Sequence, residues 1–104
     1  MRPSSFRPRR QLFVCTNPRG TDDPLRSGCG EEGPKVFTAL KSLSLRRGVT
    51  RDLWISASRC LGHCPASGCA VSLHPENLHL VEVTAADVPE VLALATRPTQ
   101  DPPR

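Results

Sequence analysis

The spacing of hydrophobic residues along the chain predicts six short elements of secondary structure. Two segments, 34–47 and 87–94, carry hydrophobic residues at the three-to-four-residue spacing of a helix that buries one face. Four shorter segments have the β-branched and aliphatic composition of strands, and they are 11–15, 53–56, 70–74 and 78–83. The resulting order, β-α-β-loop-β-β-α, predicts an α/β domain with two main helices on a mixed four-stranded sheet.

Capping signals predict where the first helix begins and ends. Pro34 suits the first helical position, where its missing N–H would have no partner in any case. Arg46 and Arg47 suit the last turn, because cations stabilise the negative end of the helix dipole. Gly48 suits the left-handed position that follows.

Turn chemistry defines the second half of the chain. Residues 75–77 join the last two strands, and Asn77 tolerates the left-handed conformation that closes such a turn. Thr84 and Asp87 have capping-box spacing ahead of the second helix. Pro89 would disturb a helix that had already completed a turn, so the predicted start moves to Asp87.

Charge is distributed unevenly along the chain. Of 104 residues, 14 are Lys or Arg and 10 are Asp or Glu, which gives a formal net charge of +4. Residues 1–10 contribute +4, residues 11–95 contribute −1 and residues 96–104 contribute +1. The ends are also rich in proline, and such segments bury too little surface to offset the entropy of ordering. We therefore predict a folded domain at 11–95 between a disordered basic tail, 1–10, and a disordered Pro-rich tail, 96–104.

The same composition excludes several locations and partners. The chain has no run of about 18 hydrophobic residues that could span a membrane. The hydrophobic stretch at 12–15 is shorter than the roughly 7 residues that a secretory signal needs. We therefore expect a cytoplasmic protein. Nucleic acid is not an expected partner either, because the folded part has no basic stripe and few aromatic residues.

The cysteines are the main chemical signal. Five cysteines in 104 residues indicate metal or redox chemistry in a compartment that keeps thiols reduced. Cys15 ends the first strand and Cys60 follows the second, so both emerge at one edge of the sheet if these strands are parallel neighbours. The loops that carry Cys29 and Cys64 leave from that edge as well. Four converging thiolates are what a [2Fe–2S] cluster requires.

Three other interpretations of these cysteines stay open at this point. A structural zinc site uses two pairs of ligands, each about two to four residues apart. Cys60 and Cys64 fit that spacing, whereas Cys15 and Cys29 do not. Four unrelated buried thiols are the second alternative. A thiol oxidoreductase is the third, although that chemistry uses Cys-x-x-Cys at a helix N-terminus and this chain has Cys-x-x-x-Cys in a loop.

Several short motifs resemble those of one protein family. They are LFVCTNPRG at 12–20, SGCG at 27–30, SRCLGHC at 58–64, HPEN at 74–77 and VTAADVPEVL at 83–92. Over residues 11–95 the chain resembles the thioredoxin-like [2Fe–2S] ferredoxins, also called Shethna-type, which are related to the small [2Fe–2S] subunit of NADH:quinone oxidoreductases. The resemblance implies a thioredoxin-like ferredoxin fold, single-electron transfer with an oxidoreductase partner, and a homodimer. It also implies one cluster per chain, held by Cys15, Cys29, Cys60 and Cys64.

The chain departs from the family pattern in two places. After Cys64 it runs through residues 65–69, where the family has a short step containing Gly and Pro. Leu78, His79 and Leu80 stand where the family has an aromatic pair. Neither departure removes a ligand.

Five further residues could take part in this chemistry. We interpret Cys69 as a small buried hydrophobic residue, with a spare ligand as the alternative. His63, His74 and His79 are predicted to be exposed rather than ligands, although histidine does ligate [2Fe–2S] iron in Rieske centres. Trp54 is predicted to lie in the core or on a dimer surface rather than to relay electrons.

The sequence therefore predicts an electron carrier rather than an enzyme. No Ser/His/Asp set and no carboxylate pair has a convincing context. The protein would hold a cluster, set its potential and present it to a partner. Arg59 directly precedes Cys60 and is interpreted as offsetting cluster charge, with a solvated surface charge as the alternative. A zinc-bound or cluster-carrying structural module is the main competing function.

Overall fold

A computed structural model describes residues 1–17, 30–59 and 68–97 of the chain. Four strands in this part form one sheet in the order β2-β1-β3-β4. β1 pairs with β2 in parallel, whereas β1 with β3 and β3 with β4 are antiparallel. The strands are β1 at Arg10–Cys15, β2 at Leu53–Ser58, β3 at Cys69–His74 and β4 at Leu78–Val83. The predicted mixed four-stranded sheet is confirmed.

The first helix, α1, occupies Glu32–Arg47. Its end agrees with the prediction, because Gly48 is left-handed at φ 66° and its N–H donates to the Leu45 carbonyl at 3.2 Å. Its start differs by two residues, which makes Pro34 the third helical residue instead of the first. Proline is tolerated there because the first four N–H groups of a helix have no partner within the helix.

The second helix, α2, occupies Val88–Thr96 and follows a 3₁₀ turn at Ala85–Asp87. The predicted capping box is present, and the Thr84 N–H donates to Asp87 Oδ2 at 2.9 Å. Pro89 lies in the first turn, so the chain begins the α-helix one residue after the predicted start. None of the helices in the described ranges is long and apolar enough to cross a bilayer.

The core lies between the sheet and the helices. α1 packs against β1, β2, β3 and α2. Alternate residues of neighbouring strands meet in this layer, as Leu12 does when it pairs with Ile55 on one side and Leu73 on the other. The predicted alternation in β2 is confirmed, since Leu53 and Ile55 are buried. Other fully buried side chains in this layer are Val14, Val36, Leu40, Val71 and Leu92.

Arg10 joins three elements at the start of β1. Its side chain is only 3% exposed, and Nη1 donates to the carbonyls of Ala95 and Arg97, each at 2.8 Å. Nε forms an ion pair with Glu76 Oε2 at 2.5 Å. The sequence predicts Arg10 as part of the basic tail, but the structure shows it as the first residue of β1. The division into domain and tails otherwise stays a prediction.

Strand β4 carries a bulge that the sequence pattern does not reveal. Its pairing with β3 shifts register between Cys69 and Val71. Glu82 lies in this part of β4 with φ 59°, in the left-handed region. Gly68 faces the bulge at φ 70°, and a Cβ added there would lie 2.6 Å from the Glu82 carbonyl carbon. Bulges of this kind increase local twist and protect edge strands from pairing with other chains.

We expect Glu82→Gly to stabilise the protein by about 0.5–1 kcal/mol. A side chain with a Cβ is strained at positive φ, and glycine removes that strain. Glu82→Ala is the matched control, because it removes the carboxylate and keeps the strain. The measurement is the free energy of unfolding in urea, and equal stability of the two variants would show that Glu82 is not strained.

Candidate metal centre

The ends of β1 and β2 lie side by side at one edge of the sheet. Cys15 pairs with Ser58 as the last residue of each strand. Beyond this pair, the Thr16 N–H and Oγ1 both donate to the Ser58 carbonyl, at 2.8 and 3.0 Å. The parallel neighbours on which the sequence argument depends are therefore present. Cys60 follows Ser58 by two residues in the chain.

The start of β3 lies at this same edge. β3 is antiparallel to β1 and stands on the side of β1 opposite to β2. The two residues that flank the segment 60–67, Arg59 after β2 and Gly68 before β3, therefore lie on opposite sides of β1, two strand spacings or about 10 Å apart. The end of β1 at Cys15 lies between these two anchors.

The N-terminus of α1 completes the corner. Gly33, in the first turn of the helix, is buried, and a Cβ added to it would overlap the carbonyl oxygen of Cys15. Only a residue without a side chain lets the helix approach the end of β1 this closely. Gly30, left-handed at φ 61°, leads into this helix. The helix start that follows Cys29 in the chain therefore lies beside Cys15.

The cysteines divide into those that the structure describes and those that it does not. Cys15 ends β1 and is completely buried. Cys29, Cys60 and Cys64 lie outside the described residues, as does His63. Within 1–17, 30–59 and 68–97, no three His, Cys, Asp or Glu side chains are placed to hold a metal ion. The other ligands that the sequence predicts belong to 18–29 and 60–67, outside the described residues.

The surroundings of Cys69, His74 and His79 show whether the predictions for these three residues hold. Cys69 is completely buried at the start of β3, as predicted. His79 is exposed, as predicted, with Nε2 3.1 Å from Asn77 Oδ1. The prediction for His74 is wrong, because this residue is half-buried beside Phe13, at a ring-centroid distance of 5.5 Å. The flat ring of Phe13 on the neighbouring strand covers it.

Trp54 lies at the surface and not in the core. Its side chain is 37% exposed on the outer strand β2. Two residues that pattern reasoning missed, Thr16 and Gly33, hold the corner together. Neither had a signal in the sequence, because a glycine in a first helical turn and a threonine after a strand are common in any fold.

Comparisons with known proteins agree with this architecture. No family model matches the sequence, and a comparison with curated proteins finds no match. Solved structures of a thioredoxin-like [2Fe–2S] ferredoxin from Aquifex aeolicus do match in three dimensions. One is 22% identical, covers 88% of this chain and 83% of its own, and has a TM-score of 0.74.

Two further structures of that ferredoxin give the same result. A cysteine-to-serine variant is 23% identical, with 85% of this chain and 87% of its own covered and a TM-score of 0.72. The wild type is 22% identical, with 83% and 84% covered and a TM-score of 0.70. The identities are low, so the agreement is one of backbone arrangement over most of both chains. The chain therefore has the fold of the thioredoxin-like [2Fe–2S] ferredoxins.

Proposed function

We propose that this protein binds one [2Fe–2S] cluster through Cys15, Cys29, Cys60 and Cys64 and exchanges single electrons with an oxidoreductase partner. The observation that carries the proposal is the position of Cys15. It lies at the end of β1, between the two anchors of the segment with Cys60 and Cys64, and beside the helix start that follows Cys29. The shared fold with [2Fe–2S] ferredoxins supports the same conclusion.

The cysteines of the sequence fit such a group. Four cysteines supply the four thiolates that a [2Fe–2S] cluster requires. When bound, the group supplies a one-electron redox couple. Cys15 is 0% exposed, so the chain keeps water from this thiol. The close approach at Gly33 holds the start of α1 in place, and the chain's contribution is to position ligands and set the potential rather than to catalyse a reaction.

Metal analysis tests this proposal against the zinc alternative. The protein is purified anaerobically from cells that assemble iron–sulfur clusters, and its visible spectrum, iron, acid-labile sulfide and zinc are measured. We expect a coloured protein with about two irons and two sulfides per chain. A colourless protein with about one zinc per chain would support the structural module instead.

Arg59 provides a prediction about the potential. It is exposed at the end of β2, directly before Cys60. Because the reduced cluster carries one more negative charge than the oxidised one, a nearby cation stabilises the reduced state. We expect Arg59→Glu to lower the reduction potential by a few tens of millivolts, a shift measured by protein-film voltammetry.

The control for this experiment is Arg51→Glu. Arg51 is also exposed, and its replacement by Glu changes the net charge by the same amount. It lies just before the start of β2, at the end of the strand opposite to Arg59. Screening by salt weakens its effect on the edge where β2 ends. A potential that shifts equally in both variants, or in neither, would remove Arg59 from the account.

The homodimer, the redox partner and the cytoplasmic location stay proposals. The mass of one chain is 11.3 kDa, and a homodimer has twice that mass. Light scattering on the purified protein across a dilution series distinguishes the two states.

A further inference from the structure

An exposed group of apolar and basic side chains lies on the outer edge of the sheet. Phe6 and Leu45 are 55% and 67% exposed, and Trp54 is 37% exposed. They are three of the large hydrophobic residues that the described ranges leave at the surface. Together with Lys41 and Arg51 we call them the basic aromatic patch.

Direct contacts join three residues of the patch, Phe6, Trp54 and Lys41. The rings of Phe6 and Trp54 meet edge to face at 5.4 Å, with an interplanar angle of 86°. Lys41 Nζ lies 3.7 Å from the centroid of the Trp54 ring. Leu45 follows Lys41 by one turn of α1, so both side chains lie on the same side of the helix. Phe6, which precedes the first strand, thus belongs to this surface.

The surroundings of the patch are basic. Arg7 and Arg9 follow Phe6 in the chain within three residues and are exposed, and so are Arg51 and the acidic Asp52, which precede Trp54 by three and two residues. The backbone connects these groups, since the Arg10 N–H donates to the Asp52 carbonyl at 2.9 Å. The last turn of α1 adds two more positive charges at this end of the sheet, from Arg46 and Arg47.

The patch is separate from the candidate metal centre. Trp54 is the second residue of β2, and Ser58 is the last. At about 3.3 Å per residue, the two are about 13 Å apart along the strand. A partner bound at the patch can therefore leave the end of the sheet near Cys15 and Ser58 accessible.

We propose that the basic aromatic patch docks an acidic protein surface that has an apolar centre. An exposed aromatic and aliphatic cluster surrounded by cations is complementary to a hydrophobic cluster surrounded by carboxylates. A nucleic acid fits less well, because Lys41 covers one face of the indole on which a base would stack. A lipid surface fits less well, because the apolar residues are few and interleaved with charges. The proposal does not depend on the metal centre.

The test measures binding of a fluorescein-labelled peptide rich in Asp, Glu, Leu and Phe to the full-length protein. Fluorescence anisotropy gives the dissociation constant at several salt concentrations. We expect saturable binding that weakens as salt rises, because the rim contacts are charged. We expect Lys41→Glu to weaken binding about tenfold and Leu45→Ala to weaken it about threefold.

The matched control is Lys35→Glu, an identical charge reversal at the other end of α1. This variant should bind within about twofold of the wild type, and thermal unfolding shows whether each variant is folded. Equal losses in Lys35→Glu and Lys41→Glu would overturn the proposal, as would absence of peptide binding. Tighter binding to oligothymidine, or to vesicles of phosphatidylcholine and phosphatidylglycerol, would overturn it in favour of those partners.

Discussion

Replacing Gly33 by alanine is expected to destabilise the protein by about 2–3 kcal/mol and to impair retention of the metal centre. An added methyl group would overlap the Cys15 carbonyl, which belongs to β1 and cannot rotate away as a side chain can. Either the first turn of α1 or the end of β1 must shift. Both changes move Cys15 relative to the helix start that follows Cys29. Alanine is otherwise favourable inside a helix, so a loss of stability here reports the contact and not helix propensity.

Gly48→Ala is the control for this substitution. Gly48 has positive φ at the end of α1, and an added Cβ would meet no atom within 4 Å. It should cost only the conformational penalty of a left-handed alanine, about 1 kcal/mol. Urea denaturation gives both free energies of unfolding, and iron content per chain gives the second readout. If Gly33→Ala costs no more than Gly48→Ala and retains full iron, the close packing at this corner is not essential.

Replacing Cys15 by serine is expected to abolish the [2Fe–2S] spectrum or to alter it strongly. A serine at this position removes one of the four thiolates while adding no bulk. It should also cost about 1–2 kcal/mol of stability, because a hydroxyl replaces a thiol at a completely buried position. The iron and sulfide content and the visible spectrum of the variant provide the measurement.

Cys69→Ser is the matched control for the cysteine substitutions. Cys69 is as buried as Cys15 and lies at the start of β3, near the same edge. We expect this variant to keep its cluster and to lose about 1–2 kcal/mol of stability, because a hydroxyl replaces a thiol in an apolar site. The same substitutions at Cys29, Cys60 and Cys64 should behave like Cys15→Ser. If Cys69→Ser loses the cluster and Cys64→Ser keeps it, the ligand set is wrong.

Short-range signals in the sequence were sufficient for most of the fold. The left-handed Gly48 and Asn77, and the capping box between Thr84 and Asp87, all involve residues within a few positions of one another. The same holds for the alternation in β2, which identified the buried side of that strand. The sequence argument took the parallel pairing of β1 and β2 as a condition, and the structure meets it; a helical connection between two strands favours this arrangement.

The features that the sequence did not reveal depend on contacts between distant segments. Arg10 looks like part of a basic tail, and only the fold shows that the carbonyls of Ala95 and Arg97 close over it. Gly33 looks like an ordinary helical glycine until Cys15 is placed beside it. The register shift opposite Gly68 has the same origin. A hydrophobic pattern predicts individual helices and strands, whereas these residues make contacts between two of them.

The structure changes the interpretation of the N-terminal positive charge. The excess of arginine at the N-terminus suggested a solvated tail, yet Arg10 is buried and Phe6 packs on Trp54. Among the described residues, Arg9, Arg10 and Arg51 lie at the end of the sheet where β1 and β2 begin, opposite to Cys15. A bound [2Fe–2S] cluster with four thiolates would add negative charge at the Cys15 end.

A redox titration followed by electron paramagnetic resonance tests the central claim most directly. The full-length protein, purified anaerobically with its metal, is reduced stepwise at controlled potential and then reoxidised. The account predicts a one-electron step that produces about one unpaired spin per chain and reverses on oxidation, with the visible spectrum restored. A protein that contains no iron, or one whose cluster cannot be reduced and reoxidised intact, would contradict the assignment as an electron carrier.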